Sequence, residues 1–202
     1  MQKALLTLAV ASFTFSAAAI AQQIAPDDAF QVRYAANLAI GDSVVNLTNT
    51  GASGGNLCAN LYTFDPAEEL VSCCTCTVTP GALQSLSVLR SLISNTLTAA
   101  VPPAVVIKIV ATSTSGADCN AANVPAGSLA SGLRAWGTTL HQLPATVPSY
   151  GITETPFSNA SLVSPELTHI TSYCGFIQAI GSGYGICRGC NTTGLGASTS
   201  TQ

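Results

Sequence analysis

Three of the eight cysteines in this 202-residue chain fall within four positions of one apolar, β-prone run, LVSCCTCTV at 70–78. Cys73, Cys74 and Cys76 are either committed to bridges or held reduced for metal or redox chemistry, and the compartment separates these outcomes. The chain opens MQKALLTLAVASFTFSAAAIAQQ: Lys3 supplies a basic start, Ala4 to Phe15 an apolar segment, and Ala19-Ile20-Ala21 a small-residue cleavage site. Residues 1–21 are therefore read as a cleaved signal peptide. AVVIKIVA at 104–111 is apolar but too short to span a bilayer, so no transmembrane segment is expected after cleavage. The expected location is secreted, whether extracellular, on the cell surface or in the periplasm.

In an exported chain an even number of cysteines reads as a disulfide framework. The candidates are Cys58, Cys73, Cys74, Cys76, Cys119, Cys174, Cys187 and Cys190. Eight cysteines allow about 105 connectivities, and local geometry narrows them only in part. NLCANLYTF and ELVSCCTCTV flank the turn DPAE and form a hairpin that brings Cys58 across from residues 73–76, which makes one of those three its expected partner. Strand neighbours point to opposite faces, so Cys73 and Cys74 should enter different bridges.

Further strands are expected in FQVRYAANLAI, in DSVVNLTNTGA, at 104–112 and in GLRAWGTTL at 132–140. The segment at 83–89 fits either a strand or a helix. SPELTHITSYCGFIQAIG reads as a helix with Ser164 as N-cap, Pro165 in its first turn and Gly181 at its end. Leu167, Ile170, Cys174 and Ile177 make one apolar face, and Cys174 is expected to bridge to Cys187 or Cys190. The fold class is mainly β: a disulfide-stapled antiparallel β-sandwich with a C-terminal amphipathic helix at about 165–180. Residues 22–190 form one β-rich domain with a Cys-rich end, and residues 191–202 a flexible polar tail.

SVVNLTNTG followed by LCANLYTFD resembles the strand, turn, strand opening of secreted immunoglobulin-like modules, over residues 30–78. NLYTFDPAEELVSCCTC together with GSGYGICRGC resembles secreted bacterial proteins of cysteine-rich, immunoglobulin-like type. That resemblance implies an immunoglobulin-like sandwich, brings no defined activity, and assigns no functional residue.

Charge excludes several partners. Only 7% of residues are charged, against roughly 25% in an ordinary soluble domain. After cleavage Arg33, Arg90, Lys108, Arg134 and Arg188 face nine acids, a formal charge of −4. Nucleic acid and anionic lipid both require clustered Lys and Arg, so neither is an expected partner.

Chemistry-bearing residues are sparse. His169, Cys174, Cys187 and Cys190 offer one nitrogen and three sulfurs, the alternative reading of the C-terminal region as a ligand- or zinc-binding module. Cys187-Arg188-Gly189-Cys190 lacks the following helix that a thioredoxin-like pair needs. Asp65, Glu68 and Glu69 form an acidic turn without the calcium-loop spacing. A serine with His141 and Glu154 could sketch a hydrolase, but no nucleophile elbow accompanies them. Trp136 reads as core rather than as a sugar platform. Asn46, Asn159 and Asn191 match the glycosylation sequon and mark surface positions. No catalytic residue, cofactor site or metal site is assigned. The leading expectation is a non-enzymatic structural or adhesive surface module. Charge-poor edge strands would take a protein partner or self-assemble by strand addition, with residues 22–35 as a donor segment.

Overall fold

The computed structural model describes residues 23–26, 28–114, 119–144 and 149–189. The expected signal peptide, Asn191, the polar tail and Cys190 lie outside them. Among the described residues nine strands and one long helix form three layers. One sheet contains, in spatial order, β4 (Leu70–Val78), β3 (Leu57–Phe64), β6 (Val105–Ser113), β1 (Phe30–Ala35) and β9 (Ser158–Asn159). The other contains β5 (Leu83–Ser87), β2 (Val44–Asn49), β7 (Leu133–Gln142) and β8 (Tyr150–Pro156). All named strand pairs are antiparallel. The chain is mainly β, and the helix α1 (Ser164–Ile180) follows the last strand.

Burial explains the sequence of the first sheet. Every residue of β3 is buried, because that sheet is covered on both faces. Leu57, Ala59 and Leu61 point into the inter-sheet core with Leu47, Ile107 and Ile109. Tyr62 and Phe64 point the other way and pack with Ile170, Cys174 and Ile177 of α1. The second sheet is covered on one face only: β2 alternates half-buried and buried residues, and its Val45 and Leu47 lie opposite Gly137 and Ala135 of β7. Trp136 therefore lies on the outer face of β7, half-buried between Asn46 and Pro156, which corrects the core assignment. Strand alternation, not side-chain size, decides it.

The ambiguous 83–89 segment divides into the strand β5 and a wide helical turn over Val88–Leu92, closed by the Ile93 N–H donating to the Val88 carbonyl. Turn residues place the helix nearly as expected: Pro165 stands in its first turn and Gly181, at φ 64°, ends it in the left-handed region that glycine adopts without cost. Ser164 does not cap it. The boundary residue is Val163, extended at φ −114° and ψ 156°, and no side chain takes the capping position.

Three disulfides are present among the described residues: Cys58–Cys119, Cys73–Cys174 and Cys74–Cys187. Cys73 and Cys74 enter different bridges. Cys58 does not pair within the hairpin; it stands opposite Thr77 of β4 and Thr112 of β6, and the loop following β6 brings Cys119 to it. Cys174 bridges neither Cys187 nor Cys190, because the apolar stripe that carries it lies over β4, where Cys73 points outward. Cys76 is disulfide-bonded as well, and no described cysteine is a free thiol.

Candidate functional site

The residues singled out for chemistry do not converge. Cys174 and Cys187 are consumed in disulfides, so the proposed set of one nitrogen and three thiolates loses two sulfurs. Among the described residues no group of three or more His, Cys, Asp and Glu is arranged to hold a metal. His141 lies opposite Gly151 on the β7–β8 hairpin and its Nε2 is 2.8 Å from Thr153 Oγ1. Glu154 is three residues from Gly151 and so points to the other face of the hairpin. The two cannot form an acid-oriented pair.

What the fold assembles is a groove between α1 and the turn joining β3 to β4. Asp65 builds that turn: its Oδ1 accepts the N–H groups of Ala67 and Glu69, both at 2.9 Å. Glu68 is held at φ 65° between them, a conformation uncommon outside glycine, asparagine and aspartate. Glu68 and Glu69 are both exposed and stand over a space of about 460 Å³ whose apolar wall includes Leu70, Leu97, Tyr173, Phe176 and Ile177. Tyr173 is 48% and Phe176 61% exposed. His169 packs edge-on against Tyr173 with ring centroids 4.3 Å apart.

A second depression of about 370 Å³ shares Glu68 and His169 with the first and contains Lys108 and Glu166. The Lys108 ammonium donates to Glu166 Oε1 at 2.5 Å and lies 4.7 Å from the centre of the Phe64 ring. Lys108 is thus already matched by a carboxylate and an aromatic face. Four of the chain's nine acids, Asp65, Glu68, Glu69 and Glu166, ring these two depressions.

The sheet edges form the other candidate surface. At β4, Leu97 donates to the Val71 carbonyl, Cys73 donates to the Gly185 carbonyl, and Cys187 donates to the Cys73 carbonyl, so that edge is covered. On the opposite edge of the same sheet, β9 has two residues. In the second sheet β5 has five residues and runs directly into the helical turn. β8 has seven, is bonded on one side to β7, and carries a single charge, Glu154. Tyr150 is 56% and Ile152 66% exposed.

The residues from Phe30 onward in the expected donor segment are already strand β1, paired with β6 on one side and β9 on the other. Gln23 and Ile24 pair with Val163 and Leu162. The sequence reading missed the groove because Tyr173 and Phe176 fall off the apolar stripe of α1, where exposed aromatics carry no periodic signal. It missed β8 because YGITETP has one large aliphatic residue and ends in proline.

No family model, curated protein or solved structure matches this chain.

Proposed function

We propose that the chain is an exported, non-enzymatic structural or adhesive surface module that associates with further copies of itself by strand addition at β8. The observation that carries this reading is the β8 edge: seven residues, one charge, and exposed Tyr150 and Ile152, beside edges that are short or covered. Soluble proteins protect such edges with lysine, bulges or short strands, and a bare one is a template for another strand. Two β8 strands pairing antiparallel form an isologous contact, in which each copy presents the same surface. Export is supported by the leader-like first 21 residues and by disulfides that a reducing compartment would not maintain.

The immunoglobulin-like part of the reading is supported by two neighbour relations. β2 pairs with β5 and β3 with β6, the relations of strands B with E and C with F in that sandwich. The first and last long strands depart from the pattern, since β1 lies beside β6 and β7 beside β2.

Sedimentation velocity on the mature, disulfide-bonded protein over a concentration series tests the assembly. Wild type is expected to associate as concentration rises, and Ile152→Lys to lose most of that association while keeping the same circular dichroism and melting temperature. A wild type that remains monomeric at every concentration sinks the self-association. Unchanged association in Ile152→Lys removes β8 from it.

A further inference from the structure

We infer that the aromatic-acidic groove beside α1 is a docking site for a second copy of this chain, and that its ligand is the arginine ledge formed by Arg90 and Arg188. This contact is separate from the strand pairing at β8 and goes beyond it.

Among the described residues Arg134 is paired with Asp28 at 2.6 Å and Lys108 with Glu166. Arg33 is buried between the sheets. Asp42 is occupied locally: its Oδ1 accepts the N–H groups of Ser43 and Leu89, and its Oδ2 the Ser87 hydroxyl. The cations left over are Arg90 and Arg188, both exposed. The fold brings their backbones together, because the Arg188 N–H donates to the Ser91 carbonyl at 2.7 Å. Among the described residues the acids left over, apart from Glu154 on β8, are those of the groove, where Glu68 and Glu69 line the same space as Tyr173 and Phe176. In a chain with 7% charged residues, the unmatched charges of the described residues, Glu154 apart, thus gather into one basic ledge and one acidic groove.

The two surfaces lie apart. The ledge stands where the covered edge of β4 meets the end of β5, and the groove opens on the α1 face at the turn after β3. Among the described residues neither arginine is ion-paired with Glu68 or Glu69 of its own copy, so the contact runs from the groove of one copy to the ledge of the next. That is a heterologous contact, which closes into a ring or continues as a filament. Guanidinium chemistry suits the groove, because a planar cation can stack on Tyr173 or Phe176 while its N–H groups donate to Glu68 or Glu69.

Charge exchange on an Ile152→Lys background, where β8 pairing is disabled, tests this contact independently of the β8 reading. Two variants are needed: Glu68→Lys with Glu69→Lys, and Arg90→Glu with Arg188→Glu. Both keep the Asp65 turn and the disulfides, and circular dichroism with thiol titration checks that each is folded and oxidised. The parent is expected to associate at low salt and to weaken roughly tenfold or more as salt rises and screens the pairs. Each exchanged variant alone should remain monomeric, because its groove and ledge then carry like charges. Their equimolar mixture should associate, since both pairings become complementary again. The inference is overturned by a mixture that stays monomeric, by an exchanged variant that associates as the parent does, or by association insensitive to salt. A parent that stays monomeric but binds an arginine-glycine-arginine peptide or a neutral oligosaccharide at the groove, seen in amide chemical shifts of residues 66–70 and 169–177, equally overturns the second copy as occupant.

Discussion

Arg33 is 6% exposed on β1, and its side chain crosses to the second sheet, where Nη2 donates to the Gly137 carbonyl at 2.9 Å and to Thr139 Oγ1 at 2.8 Å. Burial pushes its guanidinium below the ordinary arginine value. Nη1 has no hydrogen-bond partner, so its bonds offset the desolvation only in part. Gly137 makes room for it: a Cβ there would come to 2.9 Å from Arg33 Cζ and 2.8 Å from the Val44 carbonyl oxygen. Gly137→Ala is expected to destabilise the fold by about 3 kcal/mol, the upper range for overpacking. Urea unfolding should show this as a lower midpoint at unchanged slope. Arg33→Leu on the Gly137→Ala background should recover part of the loss and not all of it, because the Val44 carbonyl is backbone and cannot give way. This site was not legible in FQVRYA. Alternation marks Phe30, Val32 and Tyr34 as the buried face, whereas Gln31, Arg33 and Ala35 are the residues that point between the sheets. The polar side chains are admitted there because β7 supplies carbonyls, including that of Leu133 at 2.8 Å from Gln31 Nε2.

Element by element, the helix was legible and its attachment was not. Leu167, Ile170, Cys174 and Ile177 are the four buried residues of α1, the stripe that spacing alone selects. Which strand lies beneath that stripe depends on sheet order, and the residues of α1 carry no information about it. The DPAE hairpin was legible for the complementary reason that its two strands are local neighbours, paired from Leu57 with Val78 to Phe64 with Leu70. The Cys73–Cys174 bridge has a sequence separation of 101. With Cys74–Cys187 intact, however, the ring it closes in the unfolded chain runs through that neighbouring bridge and the 174–187 segment, for which the chain-entropy account of a loop of about 15 residues gives about 3 kcal/mol of stabilisation. Replacing both residues, Cys73→Ala with Cys174→Ala, is expected to cost up to that amount in urea unfolding. Leu167, Ile170 and Ile177 still bury apolar area against Tyr62 and Phe64 in this variant, so α1 should stay docked. Amide exchange within 164–180 should accelerate more than in β3, since α1 then opens without opening the sandwich. Equal acceleration in both elements would show that the helix and sheets unfold as one unit.

At the scale of the whole molecule, each of the three described bridges joins the sheet covered on both faces to a segment outside it. Cys58 ties β3 to the loop after β6, Cys73 ties β4 to α1, and Cys74 ties β4 to the segment after α1. The mainly β class, the two sheets and the terminal helix follow from run lengths, turns and periodicity. Strand order does not, because β1 reaches β6, and β2 reaches β7, across long stretches of sequence. Bridges between such elements inherit that uncertainty, so the Cys58 and Cys174 pairings were misread while the separation of Cys73 from Cys74, a local matter of strand faces, was not. If the described cysteines are staples throughout, denatured protein should take up no alkylating reagent before reduction and eight equivalents of it afterwards, matching the cysteine count. Peptide mapping of the unreduced protein should recover Cys58–Cys119, Cys73–Cys174 and Cys74–Cys187 as linked pairs and identify the half-cystine joined to Cys76. Alkylation of Cys174 or Cys187 without reduction would return those thiols to the metal-binding reading, with His169 as the neighbouring nitrogen.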